Sequence, residues 1–213
     1  MAAVIDTVLF DLGQVLVRWD PYRPYVGRYE RDEVERFFEE IDFPAFNHLQ
    51  DAGRTWAEAR SALAGSHPHR VPMLDVYIDH FAQSLLGEVE GASDLVDELQ
   101  RLGLRVIGLT NWPAESFHLA ARGAPVVGRL DDVLVSGREG VAKPDPAFFR
   151  LAADRFGIEP GRALFTDDLP GNVDSAARCG FHVELFTSTP ALRARLAGLG
   201  VAVRADGDPG PRT

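Results

Sequence analysis

The chain has 213 residues, 46% of them apolar and 25% charged, which suits one full domain plus an insertion and is cramped for two large domains. Its 22 Lys and Arg against 32 Asp and Glu leave a formal net charge of −10, and no basic run reverses it, so neither a nucleic acid polymer nor a membrane surface is expected as a partner. One cysteine, Cys179, excludes a disulfide framework and any multi-cysteine metal site; Asp6 and Asp11 interrupt the first apolar run, so no signal peptide or membrane span fits, and the expected compartment is the cytoplasm.

The first apolar run, 7–10, predicts a strand ending at Asp11. From about 18 to 86 the strand-like rhythm stops. Val34, Phe37, Phe38 and Ile41 mark an amphipathic helix, and helical patterns follow around 55–63 and 72–85. An all-helical insert of this length exceeds an ordinary loop and predicts a cap packed over one end of a sheet. Residues 94–102 place Leu95, Val96, Leu99 and Leu102 on one face and stop at Gly103, a residue suited to the left-handed position after a helix. A strand at 104–109 then ends at Thr110 and Asn111, and a shorter one covers 133–135. A helix over 144–156 carries Phe148, Phe149, Ala152 and Phe156 and stops at Gly157. The strand 163–165 runs into Thr166, Asp167 and Asp168; a helix over 170–179 opens with Pro170 and closes at Gly180; 182–186 reads as the last strand. Residues 204–213, rich in Gly, Pro and Asp, read as a mobile tail.

Strands alternating with helices predict an α/β protein: a doubly wound, Rossmann-like parallel sheet of about five strands. The core is expected from 1–17 and 87–203, with a helical cap at 18–86. In such sheets ligands bind beyond the carboxyl ends of the strands, where right-handed crossovers gather every strand-to-helix loop. Asp11, Thr110, Asn111, Asp167 and Asp168 therefore share one pole. Three carboxylates brought together imply a bound cation, a raised pKa, or both. An oxygen-only donor set favours Mg²⁺, and Lys143, just before the helix that ends at 156, offers an ammonium to offset the charge. Asp131 and Asp132 precede their strand and are expected at the opposite pole, with no chemistry assigned. Trp19 and Trp112 fall beside the active pole as candidate substrate contacts; Trp56 and Phe46 are expected in the core.

Four ordered motifs make the chain resemble the haloacid dehalogenase-like hydrolases. They are Phe10-Asp11-Leu12-Gly13-Gln14-Val15-Leu16, Leu109-Thr110-Asn111, Lys143-Pro144-Asp145-Pro146, and Phe165-Thr166-Asp167-Asp168 with Asn172. The resemblance covers about 4–203 and includes a helical insert where members with a first-type cap carry theirs. It implies that Asp11 attacks phosphorus to form an aspartyl-phosphate that water later cleaves. It further implies that Thr110 and the Asn111 amide hold the phosphoryl oxygens and that Lys143 orients Asp11. Mg²⁺ would lie on Asp11, Asp168 and the Gly13 carbonyl, with Asp167 as a direct or water-mediated contributor.

One position departs from the pattern. Most phosphatases of the superfamily carry a second aspartate two residues after the nucleophile as general acid and base, and here that residue is Gly13. Three readings follow: a substrate whose leaving oxygen is already acidic, such as a sugar 1-phosphate; a proton supplied by Asp20 from the start of the cap; or loss of turnover in favour of binding. The leading expectation is Mg²⁺-dependent hydrolysis of a small phosphomonoester, a sugar phosphate or similar metabolite. Its rivals are a 2-haloacid dehalogenase and a silent relative that binds a phosphorylated ligand or a protein. Between monomer and homodimer the residues do not choose.

Overall fold

A computed structural model describes residues 5–204, so the predicted tail, apart from Arg204, lies outside the described residues. The chain runs β1 (Thr7–Phe10), β2 (Val17–Trp19), α1 (Arg31–Glu40), α2 (Phe43–Asp51), α3 (Trp56–Ser66), α4 (Val71–Asp79), β3 (Leu85–Glu88) and α5 (Ala92–Arg101). It continues with β4 (Arg105–Thr110), α6 (Ala120–Gly123), β5 (Asp132–Val135), α7 (Ser136–Glu139), α8 (Pro146–Phe156), β6 (Ala163–Asp167), α9 (Pro170–Arg178), β7 (His182–Leu185) and α10 (Thr189–Gly198). Among the described residues no helix is long and apolar enough to cross a membrane.

Five strands form one sheet in the order β5-β4-β1-β6-β7, every neighbouring pair parallel. The chain fills one side of β1 with β4 and β5 and the other with β6 and β7, so β1 sits where the winding reverses, the place a doubly wound sheet opens its crevice. Alternation along the strands sorts the core into two layers. Val8, Phe10, Val106 and Leu164 face Leu95, Val96 and Leu99 of α5 and Leu192 and Leu196 of α10. Leu9, Ile107, Leu109 and Phe165 face Phe148, Phe149 and Ala152 of α8 and Ala176 of α9. Covered on both sides, the strands read as nearly unbroken apolar runs.

All four helices α1 to α4 lie between β2 and β3, which pair antiparallel, Val17 with Glu88 and Trp19 with Leu85. This two-stranded ribbon carries the chain into and out of the helical insert, and the sequence reading had no strand there. Each strand is only three or four residues long, too short to show a period. The pattern at 72–85, expected as one helix, is α4 followed by a turn of 3₁₀ helix at Phe81–Ser84 and then β3, because Leu85 leaves the helix to pair with Trp19. Helix α2 was not expected either. Asp42 caps it, its side chain accepting the Ala45 N–H at 3.4 Å, and Pro44 sits in the first turn. A reciprocal Thr55–Glu58 capping box starts α3. The core of the helical insert is aromatic: Tyr25, Phe37, Phe38, Phe43, Trp56 and Tyr77 pack as stacked or edge-on pairs and run into the core layer of α5.

Gly137 in α7 fixes one wall of the active pole. Its N–H donates to the Trp112 carbonyl at 3.2 Å, and a Cβ there would meet Ala114 N at 2.5 Å and Trp112 O at 2.6 Å. Both are backbone atoms and cannot swing away. Gly137→Ala is therefore expected to displace the 112–114 loop and destabilise the chain by about 1–3 kcal/mol, read as a lower midpoint in urea denaturation. An unchanged midpoint would show that the loop relaxes freely.

Candidate active site

Asp11 stands one residue beyond β1, and its N–H donates to the Thr166 carbonyl at 2.9 Å, which extends the pairing of β1 with β6 past the last strand residue. Thr110 ends β4 and Asp167 ends β6, so three neighbouring strands deliver these side chains to one pole. Lys143 joins them from the loop before α8. Its Nζ donates to Asp11 Oδ1 at 2.7 Å and to Asp167 Oδ2 at 2.7 Å, and the side chain is 1% exposed.

The backbone at Lys143 is itself held. Asn111 Nδ2 donates to the Lys143 carbonyl at 2.9 Å, and the Lys143 N–H donates to Asn111 Oδ1 at 2.9 Å. The Asn111 side chain thus works as a clamp between the loops after β4 and before α8. Asp167 is saturated from the other side: Asn172 Nδ2 reaches both its oxygens at 3.0 Å, and the Leu169 N–H donates to Oδ1 at 2.9 Å. Buried carboxylates need such partners, and Asp167 has them all without a metal.

Asp11, Asp167 and Asp168 bring carboxylate oxygens within 4.8 Å of one another. When all three carboxyls are ionised, the one ammonium leaves the cluster two negative charges, which a divalent cation would balance. Among the described residues no donor from another residue reaches Asp11 Oδ2 or the Asp168 carboxylate, so these are the atoms free to bind an ion. Hard oxygen donors of this kind fit Mg²⁺.

Burial, with the neighbouring carboxylates Asp167 and Asp168, pushes the Asp11 carboxyl up to about 7 against the pull of Lys143. Burial alone would lower the Lys143 ammonium, but Asp11 and Asp167 together outweigh it and hold the proton there. Asp168, half-buried beside Asp167, is also raised, burial being the larger cause.

A cavity of about 390 Å³ opens above this cluster. Asp11, Gly13, Asn111, Lys143 and Asp168 form its floor; Trp19, Trp112 and, from the helical insert, Asn47, His48, Asp51 and Tyr77 form its walls. Thr110 lies buried beneath, its hydroxyl making only a 3.5 Å contact to the Asn111 carbonyl. The structure thus brings together nearly every residue singled out in the sequence. Asp20 is apart. Its carboxylate accepts the Tyr22 N–H at 2.9 Å, and it does not line the cavity. Asp131 accepts the Val106 N–H at 2.7 Å near the start of β4, at the far pole. Asp51 was missed altogether, because α2 was missed; Asp42-Phe43-Pro44, a cap residue followed by a first-turn proline, was the available signal.

A parallel α/β sheet thus carries a carboxylate, a buried lysine and an acidic pair at its switch point, the place where such sheets bind ligands. A family model for haloacid dehalogenase-like hydrolases matches residues 5–180. The chain belongs to that family. Phosphoserine phosphatase of Thermus thermophilus is 28% identical over 164 residues, 74% of this chain and 65% of that protein. Overall the chain spans less than two thirds of the first curated relatives it matches, 8%, 37% and 65% of their lengths. Among solved structures, an enzyme of the family from Bacteroides thetaiotaomicron, in complex with magnesium and inorganic phosphate, is similar at TM-score 0.69 and 22% identity, over 87% of this chain and 96% of that one. The L-2-haloacid dehalogenase of Xanthobacter autotrophicus with chloropropionic acid covalently bound is similar at TM-score 0.65 and 20% identity, over 94% and 85%. These two likenesses establish the shared fold.

Two outcomes follow from the cluster. Lys143→Met strands Asp11 and Asp167 without their shared cation and is expected to cost about 3–5 kcal/mol in urea denaturation at pH 8, less at pH 5, where the stranded carboxyls take up protons. An equal loss at both pH values would mean that the ion pairs carry no stability. The second concerns the intact chain in chelator. Asp11 and Asp51 each have folded pKa values of about 7 against 3.8, so the folded state binds more protons than the unfolded chain between those values. The melting temperature should therefore fall as pH rises through about 5 to 8, and Mg²⁺ should restore it most at the upper end. A melting temperature that rises over this range would contradict the raised carboxyls.

Proposed function

We propose that the chain is a Mg²⁺-dependent phosphatase of small phosphomonoesters, with Asp11 as the nucleophile and a hydroxylated leaving group such as a sugar phosphate. The observation that carries this reading is the arrangement of Asp11: one oxygen held by buried Lys143, the other free beside Asp168 on the floor of the cavity. Phosphatase-named relatives support it.

In this reading Asp11 attacks phosphorus through its free oxygen and carries the phosphoryl group as an aspartyl-phosphate. Lys143 keeps Asp11 oriented and neutralises charge on the transferring group; the Thr110 hydroxyl and the Asn111 N–H hold the equatorial oxygens. Asp11, Asp168 and the Gly13 carbonyl hold Mg²⁺, with Asp167 setting Lys143 and Asn172 around them. Once bound, Mg²⁺ supplies the positive charge that offsets repulsion between the Asp11 carboxylate and a phosphate dianion. Residues 18–86 act as the cap over the core of 1–17 and 87–203. In the cavity wall, Trp112 Nε1 and Tyr77 OH are buried without a hydrogen-bond partner, and both suit the hydroxyls of a polyol leaving group. Trp19 adds an apolar face, and the single cysteine fits a reducing compartment such as the cytoplasm.

Phosphate release from a panel of sugar phosphates, nucleotides and aryl phosphates, with Mg²⁺ or with chelator, tests the reading. Turnover should need Mg²⁺, and Asp11→Asn should lower it by at least about 10³-fold. Silence across the panel, or turnover indifferent to Asp11, would rule the reading out, and halide release from 2-haloacids would then be the next assay.

A further inference from the structure

The phosphatase reading leaves a chemical gap. Gly13 supplies no side chain to protonate the leaving oxygen, and Asp20 is engaged with the Tyr22 N–H outside the cavity. A Cβ at Gly13 would find only Asp11 Oδ2, at 3.8 Å, so the space beside the nucleophile is open toward the cap.

Across that space stands Asp51, the last residue of α2. It is 8% exposed and lines the same cavity as Asp11 and Lys143. One oxygen, Oδ2, accepts a long hydrogen bond of 3.3 Å from Asn47 Nδ2; the other, Oδ1, is buried and has no partner. A buried carboxyl oxygen left without a partner is costly unless a ligand supplies one or the group keeps its proton. Nothing in the folding of the cap accounts for it: α2 is capped by Asp42 and packed through Phe43, neither of which involves Asp51.

Resting on the phosphatase reading, we propose that Asp51 is the general acid and base of the reaction, delivered from the cap in place of the side chain missing at position 13. In the first step an Asp11 oxygen bonds to phosphorus while the bond from phosphorus to the leaving oxygen breaks. The electron pair goes to that oxygen, which takes the Asp51 proton and departs as the alcohol. In the second, the Asp51 carboxylate takes a proton from the water that attacks phosphorus of the aspartyl-phosphate. Asp11 and inorganic phosphate are released, and Asp51 is protonated again. The titratable groups sharing the cavity are Asp11, Lys143, Asp168, His48 and Tyr77. Burial first and the Asp11 carboxylate second push the Asp51 carboxyl up to about 7, against the pull of Lys143, so at neutral pH it is supplied in both forms.

The test compares Asp51→Asn with the unaltered chain, in Mg²⁺, on a primary-alkyl ester, glucose 6-phosphate, and on 4-nitrophenyl phosphate, whose leaving group needs no proton. The quantity kcat/KM reports the first step alone. For the alkyl ester it should fall by about 10²–10³-fold, and for the aryl ester it should stay within about threefold, which also shows that the variant folds. Slow second-step hydrolysis should appear as a burst of one 4-nitrophenolate per active site. An equal loss on both esters would assign Asp51 to binding or structure and overturn the proposal, as would an unchanged kcat/KM on the alkyl ester. An unaltered chain inactive on both esters would instead overturn the phosphatase reading and the proposal with it.

Discussion

The site depends on one buried cation. Lys143 lies between two carboxylates that arrive from different strands, one of them 132 positions away in the chain, and its side chain is almost wholly buried. Desolvating that charge costs several kcal/mol, and only good geometry to both partners repays it. The surrounding structure supplies that geometry. Parallel pairing of β1 with β6 sets Asp11 and Asp167 side by side; the Asn111 clamp fixes the Lys143 backbone; Asn172 and the Leu169 N–H hold Asp167 from behind. A single ammonium can neutralise only part of this acidity, and the excess gathers at Asp11 and Asp168, where the cavity opens. Burial first and this negative excess second hold the Asp11 carboxyl high, and the excess is the driving force for taking up a divalent cation.

The polar residues at the strand ends were legible in the sequence because parallel α/β architecture forces them together. The stretch of a strand buried on both faces carries no charged residue until it ends, so Asp11 and Asp167, with Thr110, marked the strand ends and the pole of the sheet where they gather. The helices flanking the sheet were legible for a similar reason, since Gly103, Gly157 and Gly180 each terminate an apolar stripe. The cap was legible only as helical. In α2, Phe43 is the only buried apolar residue and Gln50 and Asp51 are buried polar ones, so its apolar period is too weak to read. The ribbon of β2 and β3 is held by pairing across some 70 residues and not by local preference. Asp51 went unread because its meaning lies in a contact between cap and core that no local pattern encodes.

The Asp168 carboxylate, unpaired beside the paired Asp167, also bears on the choice between phosphorus and carbon as the electrophile. The fold is shared with a dehalogenase, so the fold does not decide. A metal-free displacement of halide from an anionic acid would gain nothing from Asp168, a half-buried carboxylate with no cationic partner next to the nucleophile. A reaction that brings in a dianion together with Mg²⁺ makes use of that charge.

The proposed placement of the acid on α2, in place of the loop after Asp11, would have a structural consequence. The cap and the core are joined through the short β2 and β3 ribbon and through one continuous aromatic and aliphatic core. On the proposed mechanism, that shared core is what would hold an acid on the insert in line with phosphorus. Trp112, Tyr77 and Asp51 line one cavity, so on that proposal leaving-group recognition and proton donation would share one wall. Gly13 fits this design, because the absent side chain leaves the space through which a leaving group reaches the cap carboxyl. An acid fixed to the core loop would stand beside the nucleophile whatever the insert did; the proposed acid on α2 would stand in place only because the insert and the sheet share one core.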